Sequence, residues 1–235
     1  MRRIALLAHG AGSCPETVRR LLGPAVPAGA EAVAVDARGG VDDVVARLAD
    51  SARGHDVVLV AGVSLGAHAA ALWSARGGRS SGLLLAMPAW TGPPDDVAAL
   101  TASSAADVRA RGRDAVLADI ERTAPDDWVV AELRRGWATY DDDADLAAVL
   151  LAASRSPGPT LADLARLDVP TAVVALADDP VHPEAVARAW ADVIPGARLA
   201  VVSRHAPARD RGALGRAGRA LLDTTRPRGD VSGSR

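Results

Sequence analysis

DVVLVAGVSLGAHAAALW, residues 56–73, combines a strand pattern, a glycine-flanked serine and a helix pattern in one run. Its first six residues form the largely apolar run typical of a buried strand, and its last seven form the alanine-rich run typical of a helix. Between them lies the pattern G-x-S-x-G, from Gly62 to Gly66, which puts Ser64 on a sharp strand-to-helix turn. The turn presents the Ser64 hydroxyl at the carboxyl end of the strand, beside a helix N-terminus that favours negative charge. A surface turn that holds a serine by coincidence is the alternative, and the flanking strand and helix argue against it.

The composition is that of one globular domain with room for an insertion. The 235 residues are 49% hydrophobic and carry a formal net charge of -2, so nothing favours nucleic acid or an anionic membrane as a partner. No apolar run approaches the ~20 residues of a membrane span, and the run at residues 4–8 is too short for a signal peptide. A lone cysteine cannot form an internal disulfide. We expect a cytoplasmic protein, a monomer or homodimer, with a small-molecule substrate and neither a nucleic-acid nor a membrane partner.

Four residue types are missing, and their absence limits the chemistry. The chain has no Lys, Asn, Gln or Phe, so all 27 basic residues are Arg. A Schiff-base lysine, a Ser-Lys dyad and a Walker lysine are therefore excluded. An oxyanion hole has to use backbone N–H groups because no Asn or Gln amide exists. A zinc site with several cysteines is also excluded, and we expect no metal and no cofactor.

Short apolar strands alternate with helices over most of the chain, which favours an α/β fold with a mostly parallel six-stranded sheet flanked by helices. The alternation stops between residues 91 and 167, where only helical patterns occur. We expect a core formed by residues 1–90 and 168–223, a helical insertion at 91–167 and a flexible tail at 224–235. The predicted strands are 4–8, 31–36, 56–61, 81–87, 171–177 and 197–203. The predicted helices of the insertion are 95–111, 114–122, 126–139, 145–153 and 160–167, and the last helix of the core is 209–222.

Candidate partners for Ser64 follow two later strands. A serine hydroxyl needs a base to remove its proton, and the base needs a third group to orient it. In a parallel sheet those groups lie just beyond the carboxyl ends of the strands. Asp179 follows the strand at 171–177 and His205 follows the strand at 197–203. The sequence therefore predicts a Ser64, Asp179, His205 triad.

The ordered set of motifs resembles the α/β-hydrolase family, over nearly the whole chain outside the insertion. The resemblance implies a serine hydrolase with a nucleophile elbow at Ser64 and a minimal N-terminus, because the first predicted strand corresponds to the third strand of the family. Arg204 stands where a glycine usually precedes the histidine. The matching positions are His9-Gly10-Ala11-Gly12 for the oxyanion loop, Asp36-Ala37-Arg38-Gly39 for the D-x-R-G turn, Gly62 to Gly66 for the elbow, Asp179 for the acid and His205 for the histidine.

Other carboxylates could supply the acid. Asp178 adjoins Asp179, but the position of Asp179 four residues before Pro183 matches the family turn better. Asp95 and Asp96 follow the fourth strand, where N-capping of a helix is the more common role.

Four other histidines compete with His205 as the base. His55 precedes the elbow strand, at the wrong end of the sheet, and His68 lies one turn into the following helix. His182 is close to the acid turn, and either lines the pocket or belongs to a plain turn. We expect His9 to shape the oxyanion loop rather than to transfer protons.

For the oxyanion hole we expect the backbone N–H groups of Leu65, the residue after the nucleophile, and Ala11, with Gly12 as the alternative to Ala11.

The helical insertion resembles the cap that many α/β-hydrolases place over the active site. Caps exclude water and shape the pocket. The predicted substrate-binding residues are His9, Gly10, Gly12, Trp90, Trp128, Trp137, Tyr140 and His182.

The sequence thus favours a serine esterase or thioesterase acting on a small, largely apolar substrate through an acyl-enzyme. A carbon–carbon bond hydrolase, or an acyl transfer or cyclisation in a biosynthetic pathway, would use the same triad. A receptor-like α/β-hydrolase that binds a ligand without fast turnover is the alternative from outside catalysis. The acidic run at residues 141–143 is interpreted as a helix start rather than a metal site.

Overall fold

A single parallel sheet organises the structure, a computed structural model that describes residues 1–124 and 127–225. Its six strands run in the order β2-β1-β3-β4-β5-β6, and every neighbouring pair is parallel. The predicted α/β fold with a parallel six-stranded sheet is confirmed. The strands are β1 (Arg2–Ala8), β2 (Glu31–Val35), β3 (His55–Val63), β4 (Leu83–Ala86), β5 (Thr171–Leu176) and β6 (Arg198–Val202).

Helices cover both faces of the sheet, as the unbroken apolar character of the central strands requires. One face packs against α2, α3 and α9, where Leu48, Leu72 and Trp190 are buried. The other face packs against α1 and α11 through residues such as Leu22 and Leu214. The helices of the core are α1 (Pro15–Leu22), α2 (Val41–Ala52), α3 (Leu65–Ala75), α8 (Leu161–Leu164), α9 (Glu184–Val193), α10 (Ala206–Arg209) and α11 (Ala213–Thr225).

Four helices between β4 and β5 form a separate apolar cluster around Val108, Leu117, Leu146 and Leu150. Aspartates begin three of them: the carboxylates of Asp95, Asp127 and Asp142 accept hydrogen bonds from backbone N–H groups in the first turn. We call residues 96–154 the helical segment. Its members are α4 (Asp96–Arg111), α5 (Arg113–Thr123), α6 (Trp128–Trp137) and α7 (Asp143–Ser154).

The strand-to-helix turn around Ser64 depends on two glycines. A Cβ on Gly66 would lie 2.2 Å from the carbonyl oxygen of Ala8, and a Cβ on Gly62 would lie 2.1 Å from the carbonyl oxygen of Gly66. Neither backbone can give way, so only glycine lets α3 start directly against β1 and β3. Ser64 itself has φ 55° and ψ -119°, a conformation that non-glycine residues rarely adopt.

The carboxyl-terminal part of the chain differs from the sequence-based prediction in one respect. The helix expected at 209–222 is two helices, α10 and α11, because Asp210 leaves the helical conformation and its carboxylate accepts the N–H of Gly212. The predicted tail begins inside α11, and residues 226–235 lie outside the described residues, as do Pro125 and Asp126 at a predicted helix start. Across residues 1–124 and 127–225, no helix combines the length and apolar character needed to cross a bilayer.

Candidate active site

A cavity of about 410 Å³ lies at the carboxyl ends of the central strands, under the helical segment. The core contributes Ser64, Asp179 and His182 to its wall, and α6 contributes Trp128 and Trp137. Most of the remaining lining is apolar. The cavity can therefore take a small apolar molecule beside a short row of polar groups.

Backbone strain is concentrated at this edge of the sheet. Three non-glycine residues of the described chain have positive φ: Ser64 at 55°, Met87 at 53° and Asp178 at 56°. They follow β3, β4 and β5, which are neighbours in the sheet. Strained residues that the surrounding structure holds in place are typical of active sites and ligand clamps.

The predicted oxyanion loop lies against Ser64. Gly10 and Ala11 line the cavity, and a Cβ on Gly10 would lie 3.2 Å from the Cβ of Ser64. Gly12 is not in the cavity wall; a Cβ built on it would lie 2.9 Å from Nε1 of Trp137 and 3.0 Å from Cδ2 of Leu150. The N–H of Leu65 belongs to the first turn of α3, where backbone donors have no partner within the helix.

His9 holds this loop in place through both ring nitrogens. Its Nε2 accepts the backbone N–H of Ala37 at 2.9 Å, and its Nδ1 lies 2.8 Å from the carbonyl oxygen of Gly10. Because Nε2 is an acceptor, Nδ1 carries the proton and donates it to that carbonyl oxygen. The ring is 1% exposed and neutral in this arrangement, which makes His9 a positioning residue for the loop.

Asp179 is fixed by its own turn. Its Oδ1 accepts the backbone N–H groups of Val181 at 2.9 Å and His182 at 3.2 Å. Its Oδ2 lies 3.3 Å from Nδ1 of His182, and both side chains are largely buried. Burial raises the pKa of Asp179, but the hydrogen bonds from the His182 ring and the two N–H groups more than offset this and leave the pKa below its usual value. The neighbouring Asp178 is exposed.

His205 lies away from this group. It is exposed, stands at the start of α10 and is not part of the cavity wall. Arg204, just before it, is part of the wall; its guanidinium donates to the carboxylate of Asp127 at 2.6 Å and to the carbonyl oxygen of Asp178 at 3.2 Å. The indole N–H of Trp128 donates to the carbonyl oxygen of Arg204 at 3.0 Å. The structure thus brings Ser64, Asp179 and His182 to one cavity, and the role of His205 stays a prediction.

His68 lies beneath the elbow and is fully buried. Its Nε2 accepts the N–H of Ala89 at 3.1 Å, and its ring packs edge-on against Trp90 with centroids 4.7 Å apart. Burial and, to a smaller extent, the nearby ring of His182 lower the pKa of His68 to about 3. His68 is therefore a neutral packing residue at pH 7.

The four aromatic residues predicted at the substrate divide into two pairs. Trp128 and Trp137 line the cavity. Trp90 does not, because it packs against His68 in the core below. Tyr140 does not either: it lies under the guanidinium of Arg38, 4.4 Å from the ring centre, and burial raises its pKa to about 12.

Sequence reasoning missed an ion-pair cluster at the far wall of the cavity. Glu132 of α6 is 6% exposed, and the hydroxyl of Thr17 donates to it at 2.9 Å. Nε of Arg211 lies 3.2 Å and an Nη of Arg20 lies 3.5 Å from its other oxygen. Glu132 lies in a helix that also contains Arg134 and Arg135, a composition typical of a solvent-exposed helix. The local sequence therefore does not distinguish Glu132 from a surface glutamate.

Asp95, an alternative candidate for the acid, and Asp142, part of the acidic run at residues 141–143, have structural roles. Asp95 accepts the N–H of Val97 at 3.0 Å, and Asp142 accepts the N–H of Asp145 at 2.8 Å, so each caps a helix. Within residues 1–124 and 127–225, no three His, Cys, Asp or Glu side chains are grouped so that they could hold a metal ion.

The sheet order, the elbow and the helical segment define the α/β-hydrolase fold. No family model matches the chain, and no curated protein matches its sequence. Several solved structures are similar to this one in fold. The enol-lactonase from Burkholderia xenovorans LB400 has 18% sequence identity and a TM-score of 0.70, and the match covers 95% of this chain and 92% of that one. A thermophilic esterase from Thermogutta terrifontis, with malate bound, has 18% identity and a TM-score of 0.65, covering 95% and 89%.

A third solved structure, a hydrolase from Pseudomonas aeruginosa PA01, has 23% identity and a TM-score of 0.67, covering 94% of this chain and 90% of that one. At these identities the similarity establishes the fold, and the predicted α/β-hydrolase fold is confirmed.

Proposed function

We propose that the protein is a serine hydrolase that cleaves a carboxylic ester or thioester of a small, largely apolar substrate. The observation that carries this proposal is the position of Ser64. It stands on a strained elbow between two close-packed glycines and opens into an apolar cavity that also contains a buried carboxylate and a histidine. The solved structures with the same fold include proteins described as an esterase and an enol-lactonase, which supports hydrolysis of an ester bond.

The reaction follows from the chemistry of these groups. A histidine oriented by Asp179 takes the Ser64 proton as Oγ bonds to the carbonyl carbon. The backbone N–H groups of Leu65 and Ala11 stabilise the negative charge on the carbonyl oxygen. The protonated imidazole then gives its proton to the leaving alcohol or thiol as the bond to the carbonyl carbon breaks. Water attacks the acyl-serine with the same histidine as base, which releases the acid and restores Ser64.

We also propose that the helical segment, within the insertion expected at residues 91–167, forms a cap over the site; α8 packs in the core instead. Trp128, Leu133 and Trp137 of α6 all line the cavity, which supports a role for this segment in shaping the acyl pocket and excluding water. Among the described residues of the cavity wall, Arg204 is the arginine, and its guanidinium is paired with the carboxylate of Asp127. An uncharged acyl group is therefore favoured over a carboxylate-bearing one.

The test uses a fluorophosphonate probe and p-nitrophenyl butyrate. Ser64→Ala should abolish both labelling and turnover, because the change removes the proposed nucleophile. Ser74→Ala, on the same helix and outside the cavity wall, is the control and should behave as wild type. Labelling that persists in Ser64→Ala at the wild-type rate would falsify the proposal.

A further inference from the structure

The predicted oxyanion loop, His9 to Gly12, has the helical segment against one side. The side chain of Ala11 packs against the apolar cluster of that segment, which includes Trp137 and Leu150. A Cβ on Gly12 would lie 2.9 Å from Nε1 of Trp137. The helical segment therefore touches the same short loop that carries the N–H of Ala11, the proposed oxyanion donor.

The closest approach is made by a glycine near the end of α6. A Cβ on Gly136 would lie 2.5 Å from the carbonyl oxygen of Gly12 and 2.8 Å from the Cα of Ser13, the next residue. Both are backbone atoms, so neither can swing away as the end of a side chain could. Any side chain at position 136 would therefore displace the loop or the helix.

A second connection reaches the loop from its other end, through the turn after β2. His9 accepts the N–H of Ala37 and donates to the carbonyl oxygen of Gly10. The next residue of that turn, Arg38, donates from its guanidinium to the carbonyl oxygen of Thr139 at 2.6 Å. The contacts thus run without a break from the helical segment to the loop.

Arg38 makes further contacts with the same part of the helical segment. Its guanidinium lies 4.4 Å from the centre of the Tyr140 ring and 4.0 Å from the carboxylate of Asp145. We call residues 136–140, which join α6 to α7, the corner of the helical segment. The corner touches the oxyanion loop directly through Gly136 and indirectly through Arg38.

We infer that this corner is a positioning element of the oxyanion hole, an inference that rests on the proposed function. The N–H of Ala11 has to lie about 2.7–3.1 Å from the carbonyl oxygen as that oxygen gains negative charge. Gly136 and Arg38 are not part of the cavity wall, so they act through the loop and not on the substrate. Their loss should weaken binding of the transition state more than binding of the substrate.

A packing role for the corner predicts a different result. If the corner only closes the pocket, changes there alter the fit of substrate and transition state alike. Two inhibitors separate these cases. Butyl trifluoromethyl ketone reacts: Ser64 Oγ adds to its carbonyl carbon, the base of the site takes the hydroxyl proton, and the ketone oxygen becomes the negative oxygen of a hemiketal in the oxyanion hole. Butyramide resembles the substrate and binds without forming this adduct.

The experiment measures kcat/KM for p-nitrophenyl butyrate and the Ki of both inhibitors in Gly136→Ala, Arg38→Met and Arg134→Met. In the first two variants we expect kcat/KM to fall at least about tenfold, the Ki of the ketone to rise by a similar factor and the Ki of butyramide to stay within about twofold. Arg134→Met is the matched control, because it removes an exposed pair with Glu121 inside the helical segment, and it should behave as wild type. Urea unfolding shows which variants are folded.

The inference is overturned if a folded Gly136→Ala or Arg38→Met keeps more than about a third of the wild-type kcat/KM, or if both Ki values rise by the same factor. A measurement on wild type does not depend on the folding of any variant. The ketone should slow amide hydrogen exchange in residues 138–140, which lie outside the cavity wall, as well as in the oxyanion loop. Slower exchange in the loop alone also overturns the inference.

Each of these results leaves Ser64 labelling intact and the proposed function standing. Failure of the proposed function would instead show as unchanged labelling of Ser64→Ala.

Discussion

At the level of single residues, the close contact of Gly66 with β1 leaves no space for a side chain at this position. The Cβ of Gly66→Ala would lie 2.2 Å from the carbonyl oxygen of Ala8, so the helix or the strand has to shift. We expect a loss of about 1–3 kcal/mol in the free energy of unfolding, measured in urea, together with loss of probe labelling.

Gly23→Ala is the control for that variant. Gly23 has a helical φ of -49° and open space around its Cα, so alanine should be neutral or stabilise by up to about 1 kcal/mol. Equal unfolding midpoints for the two variants would contradict the steric explanation.

The buried His68 predicts how stability depends on pH. Its pKa in the folded protein is about 3, against 6.5 for an ordinary histidine, so the unfolded chain binds the extra proton as the pH falls below about 6.5. Stability is therefore full above that pH and decreases on acidification. Between pH 7 and pH 5, wild type should lose about 2 kcal/mol more than His68→Gln in urea unfolding. An equal loss in both proteins would show that His68 is protonated in the folded state.

The residues of the site were predictable to different degrees. Ser64 and Asp179 follow strands in a recognisable order, so local sequence was enough to select them as candidates, and both line the cavity. The contact of Asp179 with His182 was not foreseen, and the position of the loop before His205 depends on two tertiary contacts of Arg204 with α6 that local sequence does not reveal. Tyr140 and Trp90 were misjudged for a similar reason: aromatic side chains in a helical segment face a pocket or a core, and only packing determines which.

At the level of elements, α6 is held to the core by the buried carboxylate of Glu132. Glu132→Gln keeps the bond from Thr17 but removes the charge that faces Arg20 and Arg211. The arginines are partly exposed, so we expect a moderate loss of about 1–3 kcal/mol in the free energy of unfolding. Hydrogen exchange should become faster in residues 128–137.

The pair between Arg134 and Glu121 is the control for this prediction, since both side chains are about half exposed. Glu121→Gln should change stability by less than about 0.5 kcal/mol. A larger loss of stability in Glu121→Gln than in Glu132→Gln would contradict the prediction that buried Glu132 holds α6 to the core.

Most elements were predictable because their apolar spacing and caps agree with the fold. Asp95 and Asp142 begin helices where a capping residue was expected. The division of the last helix was not foreseen, since Asp210 fits a helix by composition and leaves it through its bond to Gly212.

At the level of the whole molecule, the volume of the cavity limits the acyl chain. For p-nitrophenyl esters, kcat/KM should rise from acetate through butyrate to hexanoate, by up to about fourfold per methylene group, since each buried methylene contributes about 0.8 kcal/mol. Leu133→Trp, which fills part of the cavity from α6, should reduce activity on hexanoate more than on acetate. Leu161→Trp, on an exposed part of α8, is the control. A flat chain-length profile in wild type would argue against an acyl pocket here.

The order of the strands also affects how the chain folds during its synthesis. β4 lies between β3 and β5, yet about 85 residues of helical segment and linkers separate it in sequence from β5. At ribosomal speeds of ~5–20 residues per second, the partner of β4 follows it by roughly 4–17 s. Throughout that interval the edge of β4, Leu83-Leu84-Leu85-Ala86, is an unpaired and wholly apolar template for another chain. The nascent polypeptide thus passes through a stage at which this apolar strand edge is available for pairing with another chain.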